Sequence, residues 1–384
     1  MVSADLKIGV VLLHDENIGY DAAHLNGIKK AAAELGIPDD QIIWKYNIAE
    51  DEKCTDAINE LIEAGCSYIF TDSYGHQTFT EQCAKDNPEV NFVAMTGDRA
   101  APSKLANFSN AFTRVYESRY ISGIVAGLKL KELIDAGTIT TEQAKVGYVG
   151  AYPYAEVVSG YTAFYLGIKS IVPEVTMDVQ YTGSWADITK ETEAANALMA
   201  RGCVIIGQHA DTEGAPRAVE AALAEGKVVY SVGYNVDMLT AAPNAALTSA
   251  TNDWSKYYKF AFEKAIKGEK IDTNWSAGYE ADAVAITALG TSCAKDTQAA
   301  VDTAIAGIKA GTLHVFDTAN FTVNGAALTT YEVDFSVINF ADGSVIYEGE
   351  KYEAIKDGYF DESTGRSAPY FDLRIDGITE LNAD

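Results

Sequence analysis

Two short stretches carry the side chains with the most chemical potential. One is Gln208-His209-Ala210-Asp211-Thr212, and the other is Tyr181-Thr182-Gly183-Ser184-Trp185 with Asp187 just behind it. His209 and Asp211 lie two residues apart at the end of an extended segment, so their side chains point the same way. An imidazole beside a carboxylate is half of a metal or acid–base site. No second His/Asp cluster accompanies the pair, which argues against a metal. With the Gln208 amide and the Trp185 ring, the same groups suit a different role, that of holding a flat, polar heterocycle by stacking and hydrogen bonds. A base stacked on an aromatic ring gains about 1–3 kcal/mol. Asp187 reads as the N-cap of the helix that follows.

These groups need elements to position them. Residues 7–13, 41–46, 68–71 and 91–95 are apolar runs of the kind that form buried parallel strands. Helical spacing over 22–35, 54–64 and 79–84 separates them. A further strand fits 107–113 and a long helix fits 117–134, where Ser122, Gly123, Ala126 and Gly127 suit close packing. After Ala136-Gly137-Thr138 the alternation restarts, with strands at 145–150, 228–232 and 246–250 and helices at 156–171, 216–224 and 255–266. Two α/β lobes with parallel sheets follow from this pattern. The expected organisation is an N-terminal lobe over 5–137, which regains later segments, and a C-terminal lobe over 138–250. Crossover elements at 251–315 complete the lobes. An irregular, partly β extension at 316–384 packs on the surface, with hairpin turns at Asn324-Gly325 and Asp342-Gly343.

In open α/β sheets, ligands bind beyond the carboxyl ends of the strands. The polar and aromatic residues that fall there are Asn17, Tyr20 and Asp21 in the first half, with Tyr74 after the third strand. In the second half they are Tyr154, Glu156, Trp185, Gln208, His209, Asp211 and Asp237, with Trp254 and Trp275 completing the aromatic set. Several have plainer roles. Asp21 and Glu156 suit helix N-termini, Asp237 can bond its own backbone in a turn, and Trp254 can be core.

Composition narrows the function classes. The chain of 384 residues carries 55 acidic and 29 basic side chains, a net charge of -26. Such a surface repels nucleic acid and anionic lipid and tolerates a neutral or cationic small ligand. The five cysteines form no CxxC pair, and Cys54, Cys66 and Cys203 read as small buried hydrophobes. There is no GxGxxG or phosphate-binding loop and no apolar run long enough to span a membrane. The start, Met1-Val2-Ser3-Ala4-Asp5, lacks the pattern of a secretory leader.

The order of loops resembles the basic-membrane-protein family of ABC-transporter substrate-binding lipoproteins. The likeness rests on Tyr116-Glu117-Ser118-Arg119-Tyr120-Ile121-Ser122-Gly123-Ile124-Val125-Ala126-Gly127, Val146-Gly147-Tyr148-Val149-Gly150, Gly160-Tyr161-Thr162-Ala163-Phe164, the two stretches first described, and Leu247-Thr248-Ser249-Ala250 before Trp254. It implies a type I periplasmic-binding-protein fold, two Rossmann-like lobes joined by a hinge with the ligand cleft between them. It implies a receptor for a purine base or nucleoside, with no cofactor and no enzymatic activity. It also implies an ABC permease as partner, a monomer, and an extracytoplasmic lipoprotein whose leader and lipidated cysteine lie outside this chain. Under the resemblance Trp185 stacks on the base and Asp237 is an acidic ligand contact. The first loop, Glu16-Asn17-Ile18-Gly19-Tyr20-Asp21, departs from the Asp-x-x-Phe-Asn pattern of nucleoside binders, and Gln208-His209-Ala210-Asp211-Thr212 is similar to the branch that takes free bases. Two alternatives stand beside this reading. One is a nucleoside hydrolase using Asp211 and Asp237 as acid and base with His209; the other is a sugar receptor of the same fold.

Overall fold

The computed structural model describes residues 2–339 and 342–383. Its first half is a parallel sheet of β1 (Ile8–Val11), β2 (Ile42–Lys45), β3 (Tyr68–Thr71), β4 (Asn91–Met95) and β5 (Phe108–Ala111). The second half repeats it with β6 (Lys145–Gly150), β7 (Thr176–Tyr181), β8 (Ile205–His209), β9 (Tyr230–Tyr234) and β10 (Ala246–Asn252). The spatial orders are β2-β1-β3-β4-β5 and β7-β6-β8-β9-β10, the same doubly wound topology twice. The chain then crosses back: β11 (Asn274–Trp275) pairs with β5 in the first sheet, and β12 (Val284–Ile286) runs antiparallel to β10 in the second.

Local sequence explains these elements. Ile8, Val10 and Val11 are fully buried, as a strand covered on both faces requires. The helix Gly19–Leu35 starts earlier than its apolar spacing indicates, with Ile18 at the N-cap position. Asp21 therefore does not cap it; its buried carboxylate turns back and accepts from the backbone N–H of His14 at 2.7 Å. Asp187 does cap the helix Ile188–Ala200, accepting from the N–H groups of Thr189 and Lys190. All five cysteines are free thiols, four of them buried, and burial pushes Cys66 up to about 11, which leaves it inert at neutral pH.

Two helices, Val115–Asp135 and Ala155–Lys169, carry the second half's inner packing. Their contact depends on glycine. A Cβ on Gly123 would sit 2.2 Å from the Phe164 carbonyl oxygen, and one on Gly167 would sit 2.1 Å from that of Tyr120. Backbone atoms cannot yield as side chains do. Gly123→Ala is therefore expected to destabilise the fold by roughly 1–3 kcal/mol, the usual cost of overpacking. Urea unfolding would read this as a lower midpoint at unchanged slope.

The last segment joins the second half. Phe316, Phe321, Phe360, Tyr370 and Phe371 are buried in its core, and Ile378–Glu380 adds a parallel strand beside β7. The turn at Asn324-Gly325 has both residues at positive φ, 52° and 76°, and closes a bridge between Val323 and Ala326. That conformation is the hairpin turn that Asn-Gly favours. Gly343 also has positive φ, in the turn between the paired strands Val337–Ile338 and Val345–Tyr347.

Candidate ligand-binding site

The carboxyl ends of the two sheets face one another across a narrow cavity. Strand ends from both halves contribute. After β1 come Leu13, Tyr20 and Asp21; after β3, Ser73 and Tyr74; after β4, Thr96. From the other side come Glu156 after β6, Trp185 after β7, His209 and Asp211 from the end of β8, and Tyr234 from β9. The position is the topological switch point of both sheets, where doubly wound folds bind ligands.

The aromatic walls are held from outside the cavity. The Tyr20 hydroxyl donates to the Asp72 carbonyl at 2.8 Å, and the Tyr74 hydroxyl donates to Asp98 Oδ2 at 3.1 Å. The Tyr74 ring lies 5.8 Å from that of Tyr154 on the opposite half, and Trp185 contacts Tyr152 and Tyr154 at 5.3 and 6.2 Å. The Trp185 carbonyl accepts from the backbone N–H of Asp211 at 2.8 Å, which fastens its loop to the end of β8. The Asp211 carbonyl in turn accepts from Gly19 N–H at 3.3 Å, a backbone bond between the halves.

The electrostatics are set by buried carboxyl groups. Asp211 Oδ1 accepts from the Asn235 amide at 3.0 Å, and no other side-chain bond to its carboxylate occurs among the described residues. Burial, and then the charge of Asp21, push its carboxyl well above the usual range. Asp72 is raised in the same way; its Oδ2 is buried with no hydrogen-bond partner among the described residues. Burial lifts Glu156 to about 7, although the nearby Arg119 opposes the shift. His209, 3.3 Å from Glu156 Oε1 through Nε2, is pushed down by burial and by Arg119, so it is neutral at physiological pH. The Arg119 guanidinium is itself buried. It donates to the Gln208 carbonyl at 2.5 Å and lies 3.7 Å from the Tyr234 ring centre, a cation–π contact beneath one wall of the cavity.

Of the residues singled out from sequence, the structure gathers Tyr20, Asp21, Tyr74, Glu156, Trp185, His209 and Asp211 around one space. Tyr154 stands at its edge, 43% exposed, stacked on Tyr152 and leaning toward Tyr74 and Trp185. Asn17, Gln208, Asp237 and Trp254 lie elsewhere. Asn17 is exposed and bonds Asp15, beside an outer groove. The Gln208 amide is buried and donates to the carbonyls of Ala210 and Thr212, bracing the loop that carries Asp211. Asp237 is an exposed turn residue whose Oδ1 accepts from Leu239 N–H. Trp254 is fully buried in the first half's core, stacked on His24 at 4.2 Å. With Asp237 outside the cavity, Asp211 and Asp237 do not form the acid–base pair that a hydrolase would need.

Comparison with known proteins fits this geometry. Residues 12–305 match the family model of PnrA-like ABC transporter substrate-binding proteins. The chain belongs to that family. The PnrA-like proteins are substrate-binding components of transporters and not enzymes, and two Rossmann-like lobes around a cleft are what such a component requires. A purine-binding protein of Brucella abortus is 32% identical over 256 residues, 66% of this chain and 67% of the relative. A Haloferax volcanii protein, named for glucose binding in an ABC transporter, is 34% identical over 208 residues, 54% of this chain and 48% of the relative. The chain thus aligns with about two thirds of the first relative and about half of the second. Among solved structures, an ABC-transporter solute-binding protein of Aeropyrum pernix superposes with a TM-score of 0.68 at 17% identity, over 81% of this chain and 93% of that one. That likeness establishes the fold.

Several residues at the site carried weaker sequence signals. Asp21 and Glu156 look like helix-start acids, and Tyr234 like a strand residue. Arg119 lies in the Tyr116-Glu117-Ser118-Arg119-Tyr120 stretch, where a buried cation in a helix with apolar neighbours was the available signal.

Proposed function

We propose that the chain is the receptor of an ABC importer and takes up a purine base, closing its two lobes around the ring and delivering it to the permease. The observation that carries this reading is the cavity itself: aromatic faces from both lobes enclose a space edged by Asp211, Glu156 and Asp21. A flat heterocycle that presents N–H donors at its edge meets both requirements, stacking on the rings and donating to the carboxylates. The Gln208-His209-Ala210-Asp211-Thr212 stretch, similar to the branch of the family that takes free bases, supports a base over a nucleoside. The purine-binding relative supports the ligand class. In this reading the protein works outside the cytoplasm, tethered by a lipid.

Titration calorimetry against adenine, guanine, hypoxanthine, xanthine, their nucleosides, glucose and ribose tests the proposal. A purine base binding near micromolar, about −8 kcal/mol, and more tightly than its nucleoside is the expected result. Binding of glucose or ribose without any purine would sink it. The sugar reading has its own support in the Haloferax relative, since carboxylates also accept from sugar hydroxyls and Trp185 can stack on a pyranose.

The affinity should depend on pH with a fixed sign. A ligand that donates N–H groups prefers ionised Glu156, which is protonated below about 7 in the free protein. Binding therefore strengthens as pH rises from 5.5 toward 7.5, by about tenfold per unit for this one carboxyl, and the raised Asp211 carboxyl adds to the dependence in the same direction. Calorimetry in buffers of different ionisation enthalpy would show proton release on binding near pH 6. Proton uptake there would mean that the ligand accepts from the carboxyl groups.

A further inference from the structure

The family match ends at residue 305, yet the segment beyond it touches both lobes. Its attachment to the second lobe is extensive. Ile378–Glu380 pairs in register with β7, the Tyr161 hydroxyl donates to Glu380 Oε1 at 3.0 Å, and Phe371 is fully buried in that lobe's core. Its attachment to the first lobe is polar and narrow. The Ser367 N–H and hydroxyl donate to Asn274 Oδ1 on β11 at 3.3 and 3.1 Å, and the Tyr347 hydroxyl donates to Glu81. Arg366 Nη1 pairs with Asp98 at 3.5 Å, with both side chains less than one-fifth exposed. The Asp98 oxygen that Arg366 approaches, Oδ2, is the one that accepts the Tyr74 hydroxyl from the cavity wall.

We infer that Arg366 is a positioning residue for the ligand site, and that the segment carrying it is a strap between the lobes. The relay runs from the second lobe's sheet through Arg366 and Asp98 to Tyr74. Arg366 is preset for the role: Nε and Nη2 approach the carbonyls of Ala368 and Pro369 at 3.3 Å, and the guanidinium lies 5.1 Å from the Phe335 ring. Its charge fixes the Asp98 carboxylate, and the carboxylate fixes the tyrosine hydroxyl. A strap made of few polar bonds on one side and a core on the other favours the closed arrangement without locking it. Apparent affinity follows the population of the competent state, so Arg366 tunes ligand retention without touching the ligand.

This inference rests on Tyr74 lining the ligand site. The test is adenine binding to wild type, Arg366→Ala, Arg366→Lys, Asp98→Asn and Tyr74→Phe, with melting temperatures recorded in parallel. Arg366→Ala and Asp98→Asn should weaken binding about three- to tenfold, chiefly through faster dissociation. Arg366→Lys should recover most of the loss. Arg366→Ala combined with Tyr74→Phe should be no worse than the poorer single variant, because both break one relay. A lower melting temperature with unchanged affinity in Arg366→Ala would make the residue merely structural and overturn the inference, as would additive losses in the double variant. If wild type binds no purine, the receptor reading fails by itself. The strap is then judged by small-angle scattering of the free protein: a larger radius of gyration in Arg366→Ala supports it, and an unchanged radius overturns it.

Discussion

Asp211→Ala is expected to lower purine affinity about 100-fold or more, the largest effect of any single truncation in the cavity. Asp211 is buried at the end of β8, and its Oδ1 is already held by the Asn235 amide. Under the proposed reading, the rest of its carboxyl group is the acceptor offered to the ligand. Removing one partner of a buried, charged hydrogen bond costs about 2–5 kcal/mol, because the other partner is left desolvated and unpaired. Each 1.4 kcal/mol is about tenfold in affinity.

Asp211→Asn separates this from mere loss of shape. The amide keeps the volume and can still accept from Asn235, so the fold should melt near the wild-type temperature or above it. Burial pushes the Asp211 carboxyl well above the usual range, so an uncharged isostere relieves a cost that the free protein bears. Affinity should nonetheless fall by about tenfold or more, since one acceptor oxygen becomes an N–H₂ group facing ligand donors. Calorimetry and thermal melts of the two variants decide the matter. If Asp211→Asn binds purine as tightly as wild type, the carboxylate is not a ligand contact.

Much of the fold was legible because it depends on local pattern. Strands 68–71, 91–95 and 145–150 are bounded as their apolar runs indicate, because strands covered on both faces are continuously apolar and end where polar residues begin. The site was legible in part for the same reason. Strand ends are where an α/β sheet exposes side chains to a crevice, and Tyr20, Tyr74, Trp185, His209 and Asp211 fall there. Other residues depend on direction, which sequence does not encode locally. Asp21 looks like a cap because acids favour helix starts, yet the helix opens at Gly19 and leaves Asp21 inside its first turn, lining the cavity while its carboxylate holds His14. Trp254 precedes a helix at a strand end, but that helix returns to the first lobe and takes the ring into its core against His24. A Cβ on Gly27 would lie 2.7 Å from Trp254 Cβ, so this packing is tight. The contact between Arg366 and Asp98 spans more than 260 positions and had no local signal at all.

Trp185→Ala should weaken purine binding by roughly 5- to 150-fold, the equivalent of about 1–3 kcal/mol for one stacked base. The loop itself should survive. Its attachment to Asp211 runs through the Trp185 carbonyl, which the substitution retains, and Gly183 with φ of 67° sets the turn that precedes it. Tyr152 and Tyr154 stay beside the vacated space, 5.1 Å apart and nearly parallel, so some aromatic surface remains. Trp185→Phe should therefore keep most of the affinity, while Trp185→Leu, of similar apolar bulk without a π-face, should resemble alanine. The ordering of phenylalanine, leucine and alanine reads stacking apart from simple burial. If leucine matches phenylalanine, the ring acts only by excluding water, and the case for a flat heterocycle loses its aromatic half. If glucose binds and its affinity falls along the same series while every purine is silent, the stacking surface serves a sugar face. The carboxylates would then be accepting from hydroxyls, not from ring N–H groups.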